Sequence, residues 1–265
     1  MKALLNTLML SSAVATALFS AAASADPITM SATYYTIAEN DQDMGHLASG
    51  VFNNEVQQTL GPNGLPVLNT TQFGCTSNCF GSSSAPQDVT ANGQMTWWSP
   101  SLNKGGTGGT SDVTQTGTGT ISLPYNNGNF YPTNGGGVND ASGFQAAVFS
   151  TVLDVPTAES ISFNVGADDV AFVYLNNQIV CDLGGVHSDS PGTCTSSTLS
   201  AGNNTLEIFY ADIEQTGAAL TFSVQTEGIT GAPPPPAQAP EPANLALFGL
   251  GFIAMTYVVR RSSIN

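Results

Sequence analysis

Basic residues are nearly missing from this 265-residue chain, with four Lys and Arg against nineteen Asp and Glu. That scarcity excludes the phosphate-neutralising surface a nucleic-acid binder needs, and it makes anionic lipid an equally poor partner. Histidine is also scarce, with only His46 and His187 present. No nucleophile motif accompanies them and no coherent acid–base pair stands out. The chain therefore reads as a non-enzyme, with no catalytic residue assigned. The four cysteines, Cys75, Cys79, Cys181 and Cys194, match no zinc spacing, and no fixed-period repeat is found. What is abundant is negative charge, which favours solubility and attracts divalent cations.

The two ends of the chain define its organisation. A short positive start at Met1-Lys2 precedes an apolar stretch that closes on Ala23-Ser24-Ala25. This is the pattern of a signal peptide over residues 1–25. Export into an oxidising compartment makes disulfides the default state of the cysteines. Three pairings are possible, and Cys75–Cys79 with Cys181–Cys194 is favoured because each bond closes a short local loop. At the other end, a Pro-rich spacer over 231–239 leads to Pro240-Glu241-Pro242, an apolar run over 243–259, and Arg260-Arg261. The run is just long enough for a membrane helix, with the paired arginines on the cytoplasmic side. A permanent single-pass anchor is the plain reading of such a segment. Taken in order, however, the motif, the apolar helix and the basic end over 240–265 resemble the PEP-CTERM sorting tail. That resemblance implies processing by exosortase, transient anchoring in the inner membrane, and delivery to the cell surface or an exopolysaccharide matrix. Loss of both ends removes Lys2, Arg260 and Arg261, so Lys104 alone faces nineteen acids, a net charge of −18, or −17 if Glu241 leaves too.

Between the ends, residues 26–230 read as one domain. Ile28–Ile37 is an expected strand. Leu47, Val51, Phe52, Val56 and Leu60 recur at helical spacing and stop at Gly61-Pro62, which predicts a short N-terminal helix. Residues 63–140 are loop-rich and include Trp97-Trp98, which either pack inside or stack on sugar faces. From Phe144 onward the strand signal strengthens. Residues 160–165 alternate, whereas Val170–Leu175 is apolar on both faces, as in a central strand. Asn176-Asn177 sits where a hairpin turn needs positive φ, and Gln178–Asp182 returns. Thr205–Tyr210 and Leu220–Val224 alternate again. The fold class is all-β: an antiparallel β-sandwich with long loops, a short N-terminal helix and a C-terminal hydrophobic helix. Asn69-Thr70-Thr71 and Asn203-Asn204-Thr205 fit the glycosylation sequon.

A second resemblance covers most of residues 30–227. It rests on Gly166-Ala167-Asp168-Asp169-Val170-Ala171-Phe172-Val173-Tyr174-Leu175-Asn176-Asn177, then Val180-Cys181-Asp182-Leu183-Gly184-Gly185-Val186-His187, then Ile208-Phe209-Tyr210-Ala211-Asp212. These blocks resemble the fibro-slime domain, a relative of the protective-antigen-type β-sandwich that yeast adhesins use to bind sugars. Ala171 and Asn177 stand where that family usually has tryptophan and glycine. The resemblance implies a cis peptide between Asp168 and Asp169 and a calcium ion held there. Asp212 is the candidate third ligand, and exopolysaccharide or a surface glycan is the implied partner. Carboxylate oxygens are suitable hard donors for calcium. Without an ion, Asp168 would instead cap the strand and Asp169 stay solvated. Asp182, Gly184, Gly185 and His187 form a possible ligand loop, in which Asp182 either bonds loop amides or pairs with His187.

Overall fold

The computed structural model describes residues 27–41, 43–44, 50–69, 88–127, 143–214 and 217–232. They build eleven strands: β1 Thr29–Ile37, β2 Val113–Ser122, β3 Tyr125–Asn127, β4 Phe144–Val155, β5 Ser162–Asp168, β6 Val170–Leu175, β7 Gln178–Leu183, β8 Gly192–Thr195, β9 Gly202–Ala211, β10 Ala219–Val224 and β11 Thr230–Gly231. Among the described residues there is no α-helix, only a 3-10 turn at Thr107–Gly109. The strands form two antiparallel sheets. The larger runs β2-β1-β4-β9-β6-β7 with β11 paired to β4, and the smaller runs β3-β10-β5-β8.

Alternation explains the sandwich. Inward residues Phe163, Val165, Leu220 and Phe222 of the small sheet meet Phe149, Val173, Ile208 and Tyr210 of the large one in a single core. Phe163 and Phe222 stack there at 5.5 Å. The outer face of the large sheet is covered as well. Trp97, Trp98, Met95 and Val56, carried on the loops over 50–69 and 88–103, bury Phe172, Tyr174 and Phe209. With both faces covered, every residue of β6 is buried, as its unbroken apolar run requires. Trp97 and Trp98 are both buried, and Trp98 Nε1 donates to the Tyr210 carbonyl at 2.8 Å.

The β6–β7 hairpin turns on Asn176 and Asn177 at φ 50° and 63°, as its sequence predicts. A disulfide joins Cys181 of β7 to Cys194 of β8 and so ties the two sheets together. Cys75 and Cys79 lie outside the described residues, as do the leader 1–25, His46 and Leu47, most of the Pro-rich spacer, and the tail 240–265 with Pro240, Glu241, Pro242, Arg260 and Arg261. Among the described residues no helix is long and apolar enough to cross a membrane.

The expected N-terminal helix is not there. Residues 50–60 loop along the outer edge of β7 instead, turning at 53–54 and bridging that edge at Phe52 and Thr59. Phe52 and Gly184 exchange backbone hydrogen bonds at 2.8 and 2.9 Å, Gly50 N donates to the Val186 carbonyl, and Ile179 N donates to the Gln58 carbonyl. The physical reason is β7 itself, whose outer row of backbone groups would otherwise stay open. Covering that edge buries Val56 but leaves Val51 49% exposed, so the helical periodicity never becomes a packed face.

Candidate functional site

The chain crosses from the small sheet to the large one through two adjacent acids. Asp168 is the last residue of β5, Val170 is the first of β6, and the Asp168–Asp169 peptide bond is cis. Asp212 follows the last residue of β9, and its N–H donates to the Gln145 carbonyl at 2.8 Å. Because Ala211 pairs with both Val170 and Ala146, Asp212 is delivered to the mouth of the Asp168–Asp169 crossing. One carboxylate oxygen from each of Asp168, Asp169 and Asp212 lies within 4.8 Å of the other two.

The three carboxylates are held differently. Asp169 is buried, and its Oδ1 accepts from His187 N at 3.1 Å while its Oδ2 accepts from Ile213 N and Glu214 N, each at 2.9 Å. Burial raises its pKa to about 6, and those backbone donors restrain the rise. Asp168 is half-buried. Burial first, and then the charge of Asp169, raise it to about 7. Its carbonyl accepts the Tyr210 hydroxyl from the adjoining strand β9. Gly217, at φ +101°, closes over Asp168, where a Cβ would stand 2.7 Å from Oδ2. Asp212 is fully buried.

The loop after β7 serves this crossing from the side. Asp182 Oδ2 accepts Val56 N at 3.0 Å, and Gly185 N donates to Glu55 Oε2 at 2.8 Å. Asp182 therefore bonds a loop amide. His187 reaches the site through its backbone, and its Nδ1 faces the Ser188 carbonyl at 3.2 Å. No hydrogen bond joins Asp182 to His187, so the structure assembles no Asp–His dyad. Gly184 and Gly185 admit the close approach of the 50–60 segment; a Cβ on Gly185 would strike the Phe52 ring and the Gly50 carbonyl.

Sequence reading passed over three contributors. Glu55 is fully buried beside Asp182, and burial together with that neighbouring charge raises it to about 8. It was hidden inside the apparent helix. Asp189 accepts the Thr221 hydroxyl at 2.8 Å and adds its charge to the field at Asp168. It sits in an ordinary Ser-Asp-Ser-Pro-Gly turn that carries no signal. Tyr210 was read as part of a strand and of the block that carries the resemblance, with no role at the site assigned to it. A separate cleft of about 340 Å³, lined by Ile28, Leu123, Val224 and Ile229 among others, lies at the opposite end, where β1 begins, and contains no titratable side chain.

No family model and no curated protein matches this chain. Solved structures align with it at low similarity. A PA14 sugar-binding domain from an RTX adhesin aligns at 14% identity and TM-score 0.35, covering 77% of this chain and 94% of that one. The A domain of epithelial adhesin 9 from Candida glabrata, solved with Galβ1-4GlcNAc, aligns at 10% identity and TM-score 0.31, covering 77% and 85%. The PA14 domain of the antifreeze protein MpAFP aligns at 18% identity and TM-score 0.29 over 36% of this chain, which spans 56% of that domain. The antiparallel β-sandwich of the described residues is set by their own strand pairing.

Proposed function

We propose that this chain is an exported cell-surface or exopolysaccharide-matrix protein whose sandwich domain binds glycan, and so adheres, through a calcium ion held by Asp168, Asp169 and Asp212. The observation that carries the reading is the convergence of those three acids at one sheet crossing. The donor set fits the ion. All three groups supply hard oxygens, and 4.8 Å is within the span of two ligands on one calcium at about 2.3–2.6 Å each. Asp169 is already ordered by three backbone donors. A bound calcium would supply open coordination positions that paired sugar hydroxyls can occupy. The residues around it act by position: Gly217 is small enough to pack against Asp168, and Tyr210 fixes the crossing from β9.

The address is proposed on separate grounds. The inter-sheet disulfide suits an oxidising compartment, and the PEP-CTERM-like tail suits processing by exosortase after transient membrane anchoring. Glycan-array binding of the full chain, with calcium and with chelator, tests the ligand. The expected result is binding that chelation abolishes and Asp168→Asn weakens at least tenfold. Binding indifferent to both would overturn it.

A second reading, a structural matrix component with no specific sugar ligand, is favoured by one observation. Trp97 and Trp98 are buried, and among the described residues the exposed large apolar side chains are Val51 and Val152. Neither provides an aromatic platform for a sugar ring. An array without binding in either condition, for a folded chain, selects this second reading.

A further inference from the structure

A second group of acids stands outside the site just described. Asp41 lies in the turn after β1, Asp88 opens the 88–103 loop, and Asp112 immediately precedes β2. One carboxylate oxygen of each lies within 4.8 Å of the other two. Asp41 is 5% exposed and Asp88 not at all. In both, one oxygen is tied down: Asp41 Oδ1 accepts Asp43 N at 2.6 Å, and Asp88 Oδ1 accepts Asn103 Nδ2 at 2.7 Å. The remaining oxygens, Asp41 Oδ2, Asp88 Oδ2 and Asp112 Oδ1, are buried with no donor facing them.

The surroundings are built to hold this arrangement. Buried Asn103 also donates to Thr96 Oγ1 at 3.2 Å, and its Oδ1 accepts from Gly105 N and Asp112 N at 3.3 and 3.1 Å. Asp88 N donates to Asp43 Oδ2 at 2.8 Å. Gly105 lies so close that a Cβ there would collide with Asp88 Oδ1 and stand 3.0 Å from Asp112 Oδ2. The cradle therefore needs a glycine at its wall. Lys104, the only Lys or Arg among the described residues, makes no ion pair with the three acids. Buried carboxylates without a base or a donor call for a cation or for protons.

We propose that Asp41, Asp88 and Asp112 form a second calcium site, one that pins the loop layer carrying Trp97 and Trp98 to the ends of β1 and β2. Two features select the ion: every inward-facing donor is an oxygen, and calcium accepts such a flexible set where magnesium demands tight octahedral geometry. Burial and the charges of Asp88 and Asp112 raise Asp41 to about 10, and burial with the charges of Asp112 and Asp43 raises Asp88 to about 7. The inference does not depend on the Asp168 site, so the test separates the two.

Calcium bound per full-length chain is counted by titration calorimetry with calcium chloride. Wild type, Asp112→Asn, Asp41→Asn and Asp168→Asn are compared, and near-UV circular dichroism checks the fold. Two equivalents in wild type, falling to one in each variant, are expected. One equivalent that survives Asp112→Asn and Asp41→Asn but is lost in Asp168→Asn overturns this second site and leaves the first. One equivalent with the opposite pattern supports this site and overturns calcium at Asp168. No binding overturns both. Where a loop variant fails to fold, two equivalents in wild type and one in Asp168→Asn still support the inference, whereas one and none overturn it.

Discussion

The two acidic clusters stand at the same end of the large sheet, yet they are built on opposite principles. Asp169 enters its cluster with three backbone N–H donors already on its carboxylate, and burial moves it only to about 6. Asp41 has a single donor, Asp43 N, and a second acid facing it, and it rises to about 10. Depth alone does not separate them, since both are nearly inaccessible. The difference is hydrogen bonding to the charged form, which offsets desolvation at one site and hardly at the other. Asp169 is organised as an anion before any ion arrives. Asp41 keeps a proton that an ion would displace.

The largest expected effect is a pH dependence on the first side of this comparison. Glu55 is raised from 4.5 to about 8 by burial and by Asp182, with Asp169 adding to it and Gly185 N opposing. A carboxyl raised in the folded state contributes stability below its unfolded pKa and loses it as pH climbs through the folded value. The ionisation of Glu55 should therefore take up to about 5 kcal/mol from the unfolding free energy of calcium-free protein between pH 4.5 and 8, the full value of that rise. Asp168, Asp169 and Asp182, and in the second cluster Asp41 and Asp88, are also raised and push in the same direction, so the part due to Glu55 is the part that its substitution removes. Urea unfolding across pH should show the fall, and Glu55→Gln should flatten it. A profile unchanged by that substitution would mean Glu55 is ionised and solvated in the folded chain.

Next in size is a direct contrast of the two clusters in chelator. Asp169→Ala strands three backbone N–H groups in or near the core and should cost about 3–4 kcal/mol, at roughly 1 kcal/mol or more for each unsatisfied donor. Asp41→Asn keeps the oxygen that accepts Asp43 N and relieves the confrontation with Asp88, so stability should hold or rise. Equal losses in the two variants would break the comparison. With calcium restored to about a hundred times its dissociation constant, each occupied site should add about 2.7 kcal/mol. The gain should halve in Asp112→Asn if both sites fill with equal affinity. Thermal unfolding with and without calcium measures it.

The same contrast explains what was legible in the sequence. The first cluster was visible because two of its members are adjacent in the chain and the third closes a strongly alternating strand. Strands β1, β5, β6, β7, β9 and β10 were readable for the same reason: local alternation or an unbroken apolar run. The second cluster leaves no such trace. Asp41, Asp88 and Asp112 fall in three separate loops, and only the pairing of Ile37 with Val113 brings two of them together. Strand β2 was itself concealed in a Gly-Thr stretch, since Val113 and Ile121 are its only buried residues. The 50–60 segment was misread because its apolar spacing is local, whereas its structure is dictated by the edge of β7 more than a hundred residues later. Edge completion and loop convergence are long-range events that a periodicity cannot encode.

The smallest effect tests how the first cluster is braced. Tyr210 lies on β9 with its ring in the inter-sheet core and its hydroxyl on the Asp168 carbonyl, two residues before Asp212 in the chain. Its carbonyl in turn accepts Trp98 Nε1 at 2.8 Å, so this one residue links the loop layer, the large sheet and the acid crossing. Tyr210→Phe keeps the ring and the Trp98 contact and removes only the hydroxyl. Leaving the Asp168 carbonyl short of one donor should cost about 1 kcal/mol in stability. If the hydroxyl positions the crossing, calcium affinity should fall severalfold for the equivalent that Asp168→Asn removes, while the equivalent that Asp112→Asn removes stays unchanged. A uniform loss at both sites would instead make Tyr210 a general core residue. The two clusters would then be coupled through the sheet they share rather than braced separately.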